Sequence, residues 1–208
     1  MTRYEASGDR LNATFVFAHG AGAGQKSAFI VKLSTELAAQ GIEVVTFDFP
    51  YMERGGKVPD RAPVLEAHYR DVIERIGAEG RTPPLFIGGK SMGGRIATQV
   101  AAADRSLPIA GLVLFGYPLH PPGQPHKRRD AHLAAVGRPM LVVQGSRDAF
   151  GTPAELAPAF STLNPPATVH VIEGGDHSFA AGSRKPAPIA AIATTTRDWI
   201  RARVTGAR

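Results

Sequence analysis

Ser91, Asp148 and His177 are the side chains of this sequence whose types and spacing suit covalent chemistry. Ser91 lies in Gly89-Lys90-Ser91-Met92-Gly93-Gly94, a G-x-S-x-G pattern in which a sharp turn lifts a serine hydroxyl clear of its neighbours. A serine hydroxyl is a weak nucleophile until a base takes its proton. His177 is suited to that task near neutral pH, and Asp148 to fixing the imidazole tautomer and stabilising the imidazolium. Attack on an ester carbonyl also creates an oxyanion that needs N–H donors. The backbone N–H groups of Met92, next to the serine, and of Ala21, after His19-Gly20, are placed to supply them. Each such donor is typically worth about 3 to 4 kcal/mol in the transition state.

These residues are useful only if the chain brings them together, and its periodicity says how. An apolar run at Leu85-Phe86-Ile87 leads into the glycine-flanked serine, and a helix-compatible stretch from Ile96 to Ala103 follows, giving strand, turn and helix. Thr14 to Ala18 reads as a strand ending in His19-Gly20, and Ser27 to Gln40 as a helix stopped by Gly41. Glu43 to Phe49 is an apolar strand, and Pro50 to Pro63 a long proline-containing loop. Leu65 to Ile76 is an amphipathic helix, with His68 and Glu66 on or near its polar side. Strands follow at Leu112 to Phe115, Pro139 to Val143 and Thr168 to Ile172. Between them lie a short helix at Asp130 to Val136 and a helix from Thr152 to Leu163, capped by Thr152 with Pro153 in its first turn. Ile189 to Val204 closes the chain as a helix, with Trp199 as a core anchor. Residues 1 to 12 are polar and form an edge strand or an irregular lead-in.

Strands alternating with helices imply an α/β fold: a mostly parallel sheet of about six strands with helices on both faces and right-handed crossovers. Ligands in such sheets sit beyond the carboxyl ends of the strands. His19-Gly20, Ser91, Asp148 and His177 each fall just past the end of a different strand, hence on one edge. No large insertion separates Leu112 from Pro139, so no helical lid is expected, which disfavours long-chain lipids as substrates.

The same residues admit other readings. The alternating glycines of Gly20-Ala21-Gly22-Ala23-Gly24 resemble a phosphate loop, but neither G-x-x-x-x-G-K-[ST] nor G-x-G-x-x-G is present, and an oxyanion loop is preferred. His19 reads as structural and Asp176 as ordering its loop. Metal binding by His177, Asp176 and His19 lacks any H-x-x-x-H spacing, and neither a metal nor a cofactor is expected. Lys90 either favours an anionic substrate or is partly buried beside a carboxylate. Tyr117 and His120, in a proline-rich loop, are candidates for substrate contact, His120 being equally readable as a histidine ordered by a proline turn.

Composition narrows the class. At 208 residues, 43% hydrophobic and 20% charged, the chain reads as one globular domain, 1–208. It lacks cysteine, which excludes disulfides and a thiolate nucleophile. No apolar run approaches the ~18 residues of a membrane span, and the start lacks a signal-like apolar region, so a cytoplasmic protein with no membrane partner is expected. The net charge of +6 raises nucleic acid as a partner. The densest basic run, His126-Lys127-Arg128-Arg129, is short, free of aromatics and flanked by Asp130, and reads as a solvated loop; nucleic acid is not expected.

The chain-order Ser91, Asp148, His177, with the glycine-flanked serine and the His19-Gly20 turn, resembles the α/β-hydrolases over almost the whole length, close to small lidless members related to dienelactone hydrolases. Gly89-Lys90-Ser91-Met92-Gly93-Gly94-Arg95, together with Tyr117-Pro118-Leu119-His120-Pro121-Pro122-Gly123, further resembles a hydrolase-like domain found in certain scaffold subunits. Dienelactone hydrolases carry cysteine where this chain has Ser91, so their particular reaction is not implied. The resemblance implies either a serine hydrolase acting on a small carboxylic ester or thioester, or a binding or scaffold protein of the same fold with an idle triad.

Overall fold

The strands of the computed structural model are β1 (Thr2–Tyr4), β2 (Thr14–Ala18), β3 (Glu43–Phe47), β4 (Leu85–Lys90), β5 (Ile109–Phe115), β6 (Met140–Gly145) and β7 (Thr168–Ile172). The structure describes residues 1–80, 83–182 and 185–206. One seven-stranded sheet runs in the order β1-β3-β2-β4-β5-β6-β7. Its pairs are parallel except that β1 is antiparallel to β3, with Thr2 opposite Thr46. The strand beyond the expected six is β1: the polar lead-in covers the open edge of β3, which would otherwise expose unpaired backbone groups.

Alternation along each strand splits the core into two layers. Phe15 and Phe17 of β2 point to one face with Phe86 and Phe115, against Ile30, Leu33 and Leu37 of α1 (Ala28–Ala39) and Ile192, Trp199 and Ile200 of α6 (Ile189–Thr205). Val16 and Ala18 point to the other. There they meet α3 (Ala62–Gly77), α4 (Met92–Ala103) and α5 (Pro153–Phe160) through Tyr69, Val72, Ile96, Val100, Leu156 and Phe160. Tyr69 also ties α3 to the sheet, its hydroxyl 2.7 Å from the Gly88 carbonyl and accepting the Gly88 N–H at 3.0 Å.

Local chemistry explains most element ends. Thr152 accepts the Glu155 N–H while Glu155 accepts the Thr152 N–H, a capping box that starts α5. In the segment 50–63, expected as loop throughout, Pro50 opens a one-turn helix, α2 (Pro50–Glu53), where its missing N–H costs nothing. The expected helix at Asp130 to Val136 shrinks to a 3₁₀ turn, Leu133–Ala135, the sole regular element described between β5 and β6, so no helical lid covers the sheet edge. No helix among the described residues is long and apolar enough to cross a membrane.

The chain leaves β2 toward β3 on one side and places β4 on the other, so the crevice between the carboxyl ends of β2 and β4 is the topological switch point. Helix α4 begins at Met92, not at Ile96 as the apolar periodicity suggested, because Gly93 and Gly94 belong to its first turn. Glycine is required there by backbone approach: a Cβ at Gly93 would stand 2.6 Å from the Ala18 and His19 carbonyl oxygens, and one at Gly89 2.7 Å from that of Ala18. Gly93→Ala is therefore expected to lower unfolding free energy by about 3 kcal/mol or more, measured by urea denaturation, since only backbone can yield.

Candidate active site

Ser91 sits between β4 and α4 with φ 51 and ψ −116, a region that side-chain-bearing residues rarely occupy. Its N–H donates to the Phe115 carbonyl at 2.9 Å and its carbonyl accepts the Arg95 N–H at 3.1 Å, so the strained turn is clamped from strand and helix alike. The hydroxyl is thereby aimed over the sheet edge. His177, on the loop after β7, places Nε2 2.8 Å from Ser91 Oγ, and its Nδ1 lies 2.8 Å from Asp148 Oδ2. A carboxylate only accepts, so Nδ1 carries the proton and Nε2 is left to accept from the serine. The three residues placed by sequence on one edge thus form a continuous hydrogen-bonded chain.

Asp148 is 1% exposed, and every oxygen it offers is engaged. Oδ1 accepts the Phe150 N–H at 2.8 Å, and Oδ2 accepts Gln144 Nε2–H at 2.9 Å as well as the imidazole. Gln144, the penultimate residue of β6, is a hub the sequence did not reveal. Its amide also donates to the Gly151 carbonyl at 2.7 Å and accepts the Tyr117 N–H at 2.8 Å. The signal for it was a polar residue in an otherwise apolar strand. Phe150 covers the imidazole of His177, ring centroids 4.1 Å apart.

The His19-Gly20 turn packs directly on the serine: a Cβ at Gly20 would lie 3.6 Å from Ser91 Cβ. His19 is fully buried, accepts the Phe49 N–H on Nε2 at 3.0 Å and holds the Gly20 carbonyl from Nδ1 at 2.8 Å. Burial keeps its pKa below the ordinary value, so it stays neutral and fixes the loop. The N–H groups of Ala21 and Met92 enter no backbone hydrogen bond among the described residues, and both residues line the same cleft as Ser91 and His177. Asp176 orders the histidine loop, its Oδ1 accepting the Ser178 and Ala180 N–H groups. Among the described residues no group of three or more His, Asp or Glu is arranged to hold a metal ion.

Lys90 points back beside the histidine. A Cβ at Gly116, whose φ is +64, would stand 3.0 Å from Lys90 Nζ and 3.4 Å from His177 Cε1, so glycine there leaves the space that amine and imidazole share. The ammonium lies 5.3 Å from the centre of the buried Phe179 ring, and no carboxylate of the described residues pairs with it. Burial lowers its pKa from 10.5 to about 8, partly offset by the charges of Asp148 and Asp176. Tyr117 and His120, considered for substrate contact, are placed elsewhere. Tyr117 is fully buried, donating to the Arg129 carbonyl at 2.6 Å, and His120 is 4% exposed, with Nε2 3.3 Å from Glu155 Oε1. Neither lines the cleft, because the proline-rich loop turns both side chains inward.

Two measurements follow from this packing. Gln144→Leu strands the Tyr117 N–H and the Gly151 carbonyl and should cost about 1 to 3 kcal/mol of stability, read by denaturant unfolding. For Lys90 the unfolded chain keeps the ordinary pKa while the folded one is lower, so stability rises with pH between about 8 and 10.5. Below that window the fold bears the full cost of the enclosed ammonium. Lys90→Met should then raise stability at pH 7 by about 1 to 3 kcal/mol, the gain fading above pH 8 in a pH series of thermal melts.

The profile of the alpha/beta hydrolase domain family matches residues 11–202. Among solved structures, Est1E from Butyrivibrio proteoclasticus with ferulic acid bound superposes with a TM-score of 0.78 at 12% identity, covering 98% of this chain and 94% of that one. XC6422 from Xanthomonas campestris, described as an α/β serine hydrolase without a lid, gives 0.70 at 20% identity over 98% and 87%. TT1662 from Thermus thermophilus gives 0.71 at 21% identity over 97% and 92%. With the match spanning nearly all of the sheet and its helices, the chain belongs to the alpha/beta hydrolase domain family.

Proposed function

We propose that this chain is a carboxylic ester hydrolase, one catalytic domain that uses Ser91, His177 and Asp148 through an acyl-enzyme. The observation that carries the reading is the unbroken chain from Ser91 Oγ to His177 Nε2 and from His177 Nδ1 to Asp148, each link 2.8 Å. His177 Nε2 takes the serine proton as Oγ bonds to the ester carbonyl carbon. Ala21 and Met92 N–H groups hold the oxyanion. The carbonyl re-forms, the alkoxide or thiolate leaves with the proton from Nε2, and Asp148 stabilises the imidazolium meanwhile. Water, deprotonated by His177, then attacks the acyl carbon, and Ser91 leaves with that proton. No cofactor enters these steps.

The cleft over Ser91 is about 560 Å³, within the range of small-molecule sites, and its apolar lining includes Phe29, Ile30, Met92 and Phe150. Without a lid it suits small esters or thioesters. A fluorophosphonate probe should label Ser91, and short-chain 4-nitrophenyl esters should be hydrolysed. Ser91→Ala should abolish labelling and lower kcat/KM by about 10³-fold or more, and Asp148→Asn by about 10²- to 10⁴-fold. A folded protein that neither labels nor turns over any short acyl ester would instead identify a binding protein with an idle triad.

A further inference from the structure

Arg95 and Arg129 line the same cleft as Ser91, yet no carboxylate of the described residues lies within ion-pair distance of either guanidinium. Arg95 belongs to the first turn of α4, its N–H bonded to the Ser91 carbonyl. One guanidinium nitrogen donates to Gln99 Oε1 at 3.0 Å, while Nε is buried with no acceptor. The guanidinium as a whole nonetheless borders the cleft, and its charge is met by no carboxylate of the described residues at ion-pair distance. Arg129 comes from the basic run that reads in sequence as a solvated loop, but the run divides: Arg128 turns out to Asp130, whereas Arg129 faces the cleft. Its backbone is pinned on both sides, N–H to the Leu119 carbonyl at 2.8 Å and carbonyl from the buried Tyr117 hydroxyl at 2.6 Å.

The two guanidiniums feel each other. Desolvation, and then the charge of Arg129, push the Arg95 pKa below its ordinary value, and the attraction of Tyr117 and then Glu66 only partly relieves this. Two cations that line one cleft without a carboxylate of the described residues at ion-pair distance favour an anion there over a neutral group. The only acidic group lining the cleft, among the described residues, is Asp60, whose Oδ1 accepts from Arg54 at 2.7 Å while its Oδ2 is buried without a hydrogen-bond partner. It does not figure among the charges that reach Arg95.

We infer that Arg95 and Arg129 form an anion subsite, and that the preferred substrate is an ester carrying a second, anionic group. This rests on the hydrolase reading above and names the substrate class of that site. Arg95 lies in the first turn of α4 and lines the same cleft as Ser91, so an anion held from it shares the cleft with the carbonyl attacked by Ser91. A carboxylate or a phosphate fits the forked guanidinium donors equally. Tyr117, which fixes the Arg129 backbone, is a positioning residue for the subsite.

Matched esters test this with the charge in the acyl or the alcohol part. These are the 4-nitrophenyl monoester of adipate against 4-nitrophenyl methyl adipate, and 4-acetoxybenzoate against its methyl ester; 4-acetoxybenzylphosphonate and its diethyl ester form the phosphate arm. At low ionic strength at least one anionic member should have a kcat/KM tenfold or more above its neutral partner. Arg129→Met should reduce that ratio at least tenfold, mainly through KM, with Arg129→Lys recovering part of it and Tyr117→Phe giving an intermediate loss. Equal rates within every pair, or equal losses on both members in Arg129→Met, would overturn the subsite while leaving the esterase intact. Calorimetry of adipate monomethyl ester and of inorganic phosphate with Ser91→Ala separates the two readings. Binding that Arg129→Met weakens tenfold supports the subsite even if no ester is hydrolysed, and absence of binding by either anion counts against it.

Discussion

The backbone of Ser91, held at φ 51 and ψ −116, is the constraint on which the rest of the site depends. A conformation of this kind costs about 1 to 3 kcal/mol and persists only where its surroundings over-determine it. They do so here: the strand side binds the Ser91 N–H, the helix side binds its carbonyl, and the first turn of α4 presses on β2 with no side chain between them at Gly89 and Gly93. The direction of the hydroxyl is therefore set by backbone, not by a rotamer. The same approach brings Gly20 against Ser91 Cβ, so the turn that aims the hydroxyl also seats the loop carrying the Ala21 N–H.

Around this turn, charge is distributed unevenly. The buried carboxylate of Asp148 is saturated by Phe150, Gln144 and His177, as a buried anion must be to avoid a large desolvation penalty. The cations are not: Lys90 finds only an aromatic ring and distant carboxylates, and Arg95 leaves a buried donor unused. The one carboxylate among the described residues that line the cleft, Asp60, pairs with Arg54 and with neither of these cations. Negative charge arrives with an anionic ligand and also develops on the oxygen of a tetrahedral intermediate, where fixed positive groups in a partly dry site act strongly.

Much of this was legible in the sequence, for a local reason. The alternation of apolar runs with helical periodicity fixes a parallel sheet, and a parallel sheet fixes the edge at which Ser91, Asp148 and His177 emerge. Elements that rest on long-range contacts were legible only in part, β1 as one of two readings of residues 1 to 12. β1 exists only because β3 presents an open edge to a polar segment, and the early start of α4 depends on Ala18 and His19 carbonyls that lie far off in sequence. Gln144 looks like a stray polar residue until the loops it braces are folded around it. Tyr117 and His120 show the opposite failure, since polar groups on a loop beside the site suggest ligand contact, whereas both satisfy buried partners of their own. Arg129 was hidden in a basic run because sequence gives no direction to a loop side chain.

The features that work against stability are gathered in one place. A strained serine, a lysine whose ammonium is disfavoured, and two guanidiniums without an ion-paired carboxylate among the described residues all border the same cleft. Elsewhere the chain obeys its local rules, with apolar layers on both sheet faces and a capped α5. Departures from local consistency concentrate at functional sites, where the surroundings must hold what the chain alone would not adopt. A fold retained only as a scaffold could relax each of them: a serine elbow needs no positive φ, and a lysine or arginine needs no enclosure, unless a nucleophile must be aimed and an anion received. The cost of these departures therefore weighs toward turnover over an idle triad.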